Sequence, residues 1–207
     1  LLGHGNSAAS HSKTTLSLYA KQLRGLLDHI QIKKVAVVGF SIGGMINRRF
    51  ALDYPQRLSA LAILNSPHVR GAEAQALVET RAAAVKSDGS MATMEAALER
   101  WFTEEFRAAN PELMEKVRHW RRQVDAQSYA EAAWVLATGV KELTRLATPL
   151  GVPSIVVTSQ NDSGSTPDMS DAIASEIENA QVTIVPDLQH LGLMEKPHAF
   201  TTPVISF

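Results

Sequence analysis

The 207-residue sequence has no cysteine, so it offers neither a disulfide framework nor a thiolate nucleophile, and its stability has to come from packing. It has no charge bias either. Its 20 Lys and Arg against 21 Asp and Glu leave a net charge of -1, which excludes the basic footprint that nucleic acid or an anionic membrane would require. No apolar run reaches the roughly 20 residues needed to cross a bilayer, and no signal-peptide pattern is visible, so a cytoplasmic setting is expected. No set of His and carboxylate residues has metal-ligand spacing, and neither a metal nor another cofactor is expected. Repeats and low-complexity tracts are absent. What remains, 45% hydrophobic and 20% charged, suits one sizeable core with a small accessory subdomain.

One stretch organises the chain. Lys33 to Phe50, KKVAVVGFSIGGMINRRF, begins as a β-branched run short enough for a buried parallel strand at Val35 to Val38. It ends with Met45, Ile46, Arg49 and Phe50 at helical spacing. Between these lies Gly39-Phe40-Ser41-Ile42-Gly43, a G-x-S-x-G turn that lets a serine sit strained with its hydroxyl exposed, in front of a helix N-terminus. Such a pentapeptide arises by chance in roughly one chain in 15 of this length, so the strand before it and the helix after it carry the weight. A dinucleotide fingerprint would need glycine at position 41, and a phosphate-binding loop would need Gly-Lys-Ser/Thr; neither is present.

Around it, Thr14 to Ile30 reads as an amphipathic helix with Leu16, Tyr19, Leu23, Leu26, Leu27 and Ile30 along one stripe. Leu58 to Leu64 is a second buried strand, stopped by Asn65-Ser66-Pro67, which completes a parallel strand-helix-strand unit. From His68 to Thr148 helical signals run without a strand, over Gly71 to Val85, Met91 to Phe106, the cap and proline of Asn110-Pro111, and Ser128 to Ala137. All three tryptophans, Trp101, Trp120 and Trp134, fall in this insert. The α/β pattern resumes with a strand at Ser154 to Thr158, a helix at Pro167 to Glu178, a strand at Val182 to Val185 and a weak final helix from Pro197. The expected division is a core of residues 1–66 and 148–207 with a helical cap of 67–147.

A serine hydroxyl needs a base, and the base needs a carboxylate to fix its tautomer. In an open parallel sheet, residues just past the carboxyl ends of strands share one crevice, and Ser41, Asp162 and His190 each come just after an expected strand. Asp162 is also compatible with a turn in Asn161-Asp162-Ser163-Gly164, and His190 with a surface loop. Asp187, three residues before His190, is awkwardly placed to orient that ring, and His68 comes after a strand with no other role.

Taken together, these residues resemble the α/β-hydrolase superfamily over the whole chain. Gly3-His4-Gly5-Asn6-Ser7 resembles that family's G-H-G-x-S loop, Gly39 to Gly44 its nucleophile elbow, and His190 with Glu195 and Pro197 its H-x-x-x-x-E-x-P ending. Ala97 to Thr103 and Asn110 to Leu113 are similar to the cap of 3-oxoadipate enol-lactonases. The resemblance implies an α/β fold: a hydrolase core, with a parallel sheet and helices on both faces, carrying an inserted all-helical cap. It implies a cofactor-free hydrolase of carboxylic esters, a small lactone above all, with Ser41 as nucleophile, His190 as base, Asp162 as its orienting acid and the Ile42 N–H in the oxyanion hole. Trp101 and Trp134 would line the pocket beneath the cap. A haloperoxidase or peracid-forming relative on the same triad, or a non-catalytic truncated member, are the alternatives. The resemblance further implies that strands of the family preceding Leu1 are missing, to be supplied by an upstream segment or another chain, and that without them the elbow strand is an apolar edge. A small ester or lactone is the expected partner, with no nucleic acid and no membrane.

Overall fold

Short apolar runs separated by helical stretches can satisfy their backbone groups by pairing in parallel, with the helices as crossovers. The computed structural model describes residues 1–144 and 149–207. Among them, β1 (Val35–Phe40), β2 (Leu58–Leu64), β3 (Ser154–Ser159) and β4 (Gln181–Val185) form one parallel sheet in the spatial order β1-β2-β3-β4. Phe40 pairs with Leu64, Leu64 with Val157, and Ser159 with Val185, so the carboxyl ends of all the strands lie along one rim.

Side chains alternate between the faces, and each face is covered. Leu61, Ile63 and Val156 meet α1 (Leu16–His29), α2 (Ile42–Asp53) and α8 (Pro167–Ser175), whereas Ala62, Leu64, Ile155 and Val157 meet Phe200 of α9 (Pro197–Ser206). The expected α/β sheet with helices on both faces is therefore present. β1 is an edge, and its Val38 is 57% exposed. The stripe read along α1 is narrower than expected. Leu16, Tyr19 and Leu27 are buried, but Leu26 and Ile30 lie in solvent.

Between β2 and β3 run α3 (Ala72–Asp88), α4 (Met94–Trp101), α5 (Glu104–Ala109), α6 (Pro111–Arg122) and α7 (Ala126–Thr138). The expected boundary at residues 147 and 148 falls outside the described residues. The single helix expected over Met91 to Phe106 is broken at Phe102-Thr103. Thr103 caps α5 through its Oγ1 and at the same time binds the Glu195 carboxylate, its N–H and Oγ1–H donating at 2.9 and 2.7 Å. A residue held by a distant carboxylate and by a cap cannot continue a helix. Asn110 sits at the start of α6 with Pro111 after it, but its side chain turns back and donates to the Phe106 carbonyl at 2.9 Å instead of capping.

Arg48, on α2, ties the insert to the sheet. Only 2% exposed, it donates to the carbonyls of Pro67 at 3.1 Å and Leu143 at 3.4 Å, one at each end of the insert, and pairs with Glu176 at 3.5 Å. Burial pulls its pKa down to about 10 and Glu176 opposes that, so the guanidinium is charged at neutral pH. Removing one partner of a buried pair strands the other. Arg48→Met is expected to cost about 3–5 kcal/mol, seen in a thermal melt as a fall of on the order of 10 °C. A shift under about 2 °C would show that the clamp adds little.

Candidate active site

Four residues, each just past the end of a strand, meet at the carboxyl rim: Ser41 after β1, Asn65 after β2, Asp162 after β3 and His190 after β4. Ser41 occupies φ 54° and ψ -116°, a conformation that L-residues rarely adopt. The turn holds it there. Ser41 N–H donates to the Leu64 carbonyl at 2.8 Å, and the Ser41 carbonyl accepts from Gly44 at 3.0 Å as α2 begins. The glycines make room: a Cβ on Gly39 would lie 2.2 Å from the Gly43 carbonyl oxygen, and one on Gly44 would lie 2.5 Å from Cβ of Ser66. Serine at a helix start usually caps it, but here the side chain makes no cap bond. Its hydroxyl points instead to His190, with Oγ 3.0 Å from Nε2.

His190 Nδ1 lies 2.6 Å from Asp162 Oδ2, and the ring packs against Phe40 with centroids 5.0 Å apart. Asp162 is 2% exposed. Burial alone would raise its carboxyl pKa, but hydrogen bonds and charge from His190, with further bonds from Asn65 and the Gly164 amide, outweigh it and hold the pKa below the usual range. An ionised carboxylate only accepts, so Nδ1–H donates to Asp162 and Nε2 is left to accept the Ser41 hydroxyl proton. The tautomer that a serine base needs is thereby fixed.

Asn65 went unread in the sequence except as the end of a strand. It is fully buried with φ 44°, and its Nδ2 donates to Asp162 Oδ2 at 2.9 Å and to Ser159 Oγ at 3.2 Å. Its one available signal was position, a polar residue at the end of the strand between those that carry Ser41 and Asp162. Asp187 takes no part in the cluster; it is exposed, and its amide binds Gln160 Oε1 at 3.3 Å. His68 lies 3.3 Å from Glu176 in the Arg48 cluster. Ile42 is the first residue of α2, so its N–H has no acceptor within the helix.

The cluster opens into a cavity of about 170 Å³ lined by Ser41, Asp162 and His190 below and by α3, α4, α6 and α7 above. Trp101 lines it, and its carbonyl accepts the Leu191 N–H at 2.7 Å, tying the insert to the His190 loop. Trp134 does not. It is 44% exposed and faces a separate groove with Lys13, Thr14 and Lys86, because α7 turns Tyr129, Ala133 and Ala137 inward in its place. The expectation that Trp134 lines the site is therefore corrected. Among the described residues no group of His, Asp and Glu could hold a metal ion, and no helix is long and apolar enough to cross a membrane.

Known proteins resemble this chain in sequence and in fold. The sequence profile described as the Alpha/beta hydrolase family matches residues 1–202. The 3-oxoadipate enol-lactonase 2 of Acinetobacter baylyi is 27% identical over 202 residues, 98% of this chain and 74% of that protein. The solved enol-lactonase from Burkholderia xenovorans LB400 superposes with a TM-score of 0.88 at 25% identity, over 99% of this chain and 76% of that one. A thermophilic esterase from Thermogutta terrifontis, solved with malate bound, gives 0.84 at 28% identity, over 100% and 76%.

Replacing Asn65 by Ala removes a donor to a buried carboxylate, for an expected loss of about 1–3 kcal/mol at neutral pH. A carboxyl held below its ordinary value of 3.8 stabilises the fold above that pH and ceases to as pH falls through the lower folded value. Melts of wild type and Asn65→Ala should accordingly converge in acid, below pH 3.8, and differ most above it. A difference that persists unchanged in acid would assign Asn65 a packing role alone.

Proposed function

This chain belongs to the alpha/beta hydrolase family and is a hydrolytic enzyme, and from that premise we propose that it is a serine hydrolase of carboxylic esters acting on a small lactone of the enol-lactone type. The observation that carries the reading is the relay of hydrogen bonds from Ser41 through His190 to Asp162, at 3.0 and 2.6 Å. The lactone part rests on enol-lactonases among its relatives, one of them matched in three dimensions along nearly the whole chain.

In this mechanism His190 Nε2 takes the Ser41 proton as Oγ attacks the ester carbonyl, and the Ile42 N–H stabilises the oxyanion with the α2 dipole behind it. Collapse of the tetrahedral intermediate breaks the acyl C–O bond while His190 returns its proton to the departing oxygen. In a lactone that oxygen remains tethered to the acyl group, so the ring opens on the enzyme. Water, deprotonated by His190, then attacks the acyl-enzyme and releases the acid with Ser41 restored. Asp162 stays ionised throughout, holding the ring and stabilising its cation. The insert forms the roof of the site, and Trp101 contributes an apolar wall.

A fluorophosphonate probe tests the nucleophile directly. Ser41 is expected to be labelled in the folded protein, and Ser41→Ala and His190→Ala to give no labelling. Asp162→Asn should retain the fold yet lose on the order of 10⁴-fold in turnover of a p-nitrophenyl ester. Folded protein whose Ser41 stays unlabelled, beside control hydrolases that react, would end the proposal.

A further inference from the structure

His190 stands on the loop that leaves β4, and the bond from its ring to Asp162 fixes one ring atom. Unless the backbone is held as well, the ring can swing about that bond and carry Nε2 away from Ser41. On the side of the sheet the hold is plain. Leu188 is buried and its carbonyl accepts the Asn161 N–H at 2.9 Å, while Gly192 lies so close that a Cβ there would be 2.8 Å from Ser159 Oγ.

The other side of the same segment is held by the helical insert. The Leu191 N–H donates to the Trp101 carbonyl at 2.7 Å, and both oxygens of Glu195 are taken by Thr103, Oε1 accepting its N–H at 2.9 Å and Oε2 its hydroxyl at 2.7 Å. Phe102, between the two held residues, is fully buried, in a cluster against which Leu191 and Met194 pack. Thr103 is itself fastened to α5, since its Oγ1 also accepts the Phe106 N–H at 3.3 Å. One hydrogen bond sets a distance and lets its partners pivot, whereas two bonds from one carboxylate to one residue set the orientation too. Glu195 therefore decides how the segment 190–195 is turned against the insert, as well as how near it lies.

We propose that Glu195 is a positioning residue for His190: by gripping Thr103 it fastens the segment that carries His190 to the insert, and so fixes Nε2 opposite Ser41 Oγ. Glu195 is not part of the cavity wall and acts only through Thr103 and the Leu191 contact beside it. Trp101 belongs to both, lining the cavity with its side chain and holding Leu191 with its carbonyl, so a substrate in the cavity bears on the same unit that sets the histidine. Misplacing a reacting group by about 1 Å costs on the order of 10²-fold in rate, which gives the scale of the effect. The consequence for turnover rests on the reading of Ser41 as nucleophile and His190 as base, but the grip on the segment does not.

Variants separate this role from general stability. Glu195→Ala removes both bonds, Thr103→Val keeps only the N–H donor, and Thr103→Ser keeps both donors. With p-nitrophenyl butyrate, well below the melting temperatures, kcat is expected to fall about 10- to 100-fold in the first two with KM little changed, and to stay at the wild-type value in Thr103→Ser. Arg118→Gln, which breaks the pair with Glu95 inside the insert, should leave kcat as it is. If Glu195→Ala does not fold, Thr103→Val decides. Hydrogen exchange at the Leu191 amide reads the segment itself, and should quicken in Glu195→Ala and Thr103→Val but not in Thr103→Ser. That pattern of exchange in a protein whose wild type turns over no ester would remove the Ser41 reading and leave the grip on His190 standing. A kcat that survives Glu195→Ala or Thr103→Val in folded protein, a loss shared equally by Thr103→Ser, or Leu191 exchange that none of the variants alters would each overturn the proposal.

Discussion

The contact on which the rest depends is the near-collision of a strand with the helix directly after it. Between Phe40 and Ile42 the chain has one residue in which to leave β1 and enter α2, and that residue is forced to φ 54°. The turn closes only because Gly39 can approach the Gly43 carbonyl, and Gly44 the side chain of Ser66, at distances no Cβ would allow. The strain has a use. It aims a hydroxyl away from the capping position that serine ordinarily takes and into the space above the sheet, where His190 receives it.

The sheet then sets the remaining geometry. Its strands lie in sequence order, so the residues that leave their carboxyl ends arrive at the rim in the same order, and Asn65 stands between Ser41 and Asp162 because β2 stands between β1 and β3. The helical insert is joined to this rim at several points rather than hinged at one. Arg48 holds Pro67 and Leu143, Glu195 holds Thr103, and the Trp101 carbonyl holds the amide next to His190. The histidine and the roof above it are therefore positioned by the same contacts. A shift of the insert would move His190 as well as the wall of the cavity above it.

Much of this was legible along the chain. The apolar run ending in G-x-S-x-G named Ser41, and the strand endings named Asp162 and His190, because a parallel sheet delivers the residues after each strand to one side. The strands themselves were found to within a residue or two, since β-branched runs between turn signals have few other readings. Misreadings came where one side chain's role depended on a distant partner. A continuous helix over Met91 to Phe106 was the natural local reading, and Glu195 undid it from the far end of the chain by capturing Thr103. Trp134 was expected to line the pocket as part of the helical roof, yet the rotation of α7 about its axis, set by packing against α3, presents Tyr129 and Ala133 instead.

The sequence by itself determined the α/β pattern, the strained serine and the histidine and aspartate that join it at the rim, since these arise from periodicity, glycine placement and residue type within short windows. Tertiary structure alone decided that Asn65 holds Asp162, that Arg48 anchors the insert at both ends, and that Glu195 takes hold of Thr103. The physical reason is range. Backbone conformation is set largely by neighbours in sequence, whereas the pairing of charges and the direction of a side chain are set by the groups that the fold brings alongside it, often from far along the chain.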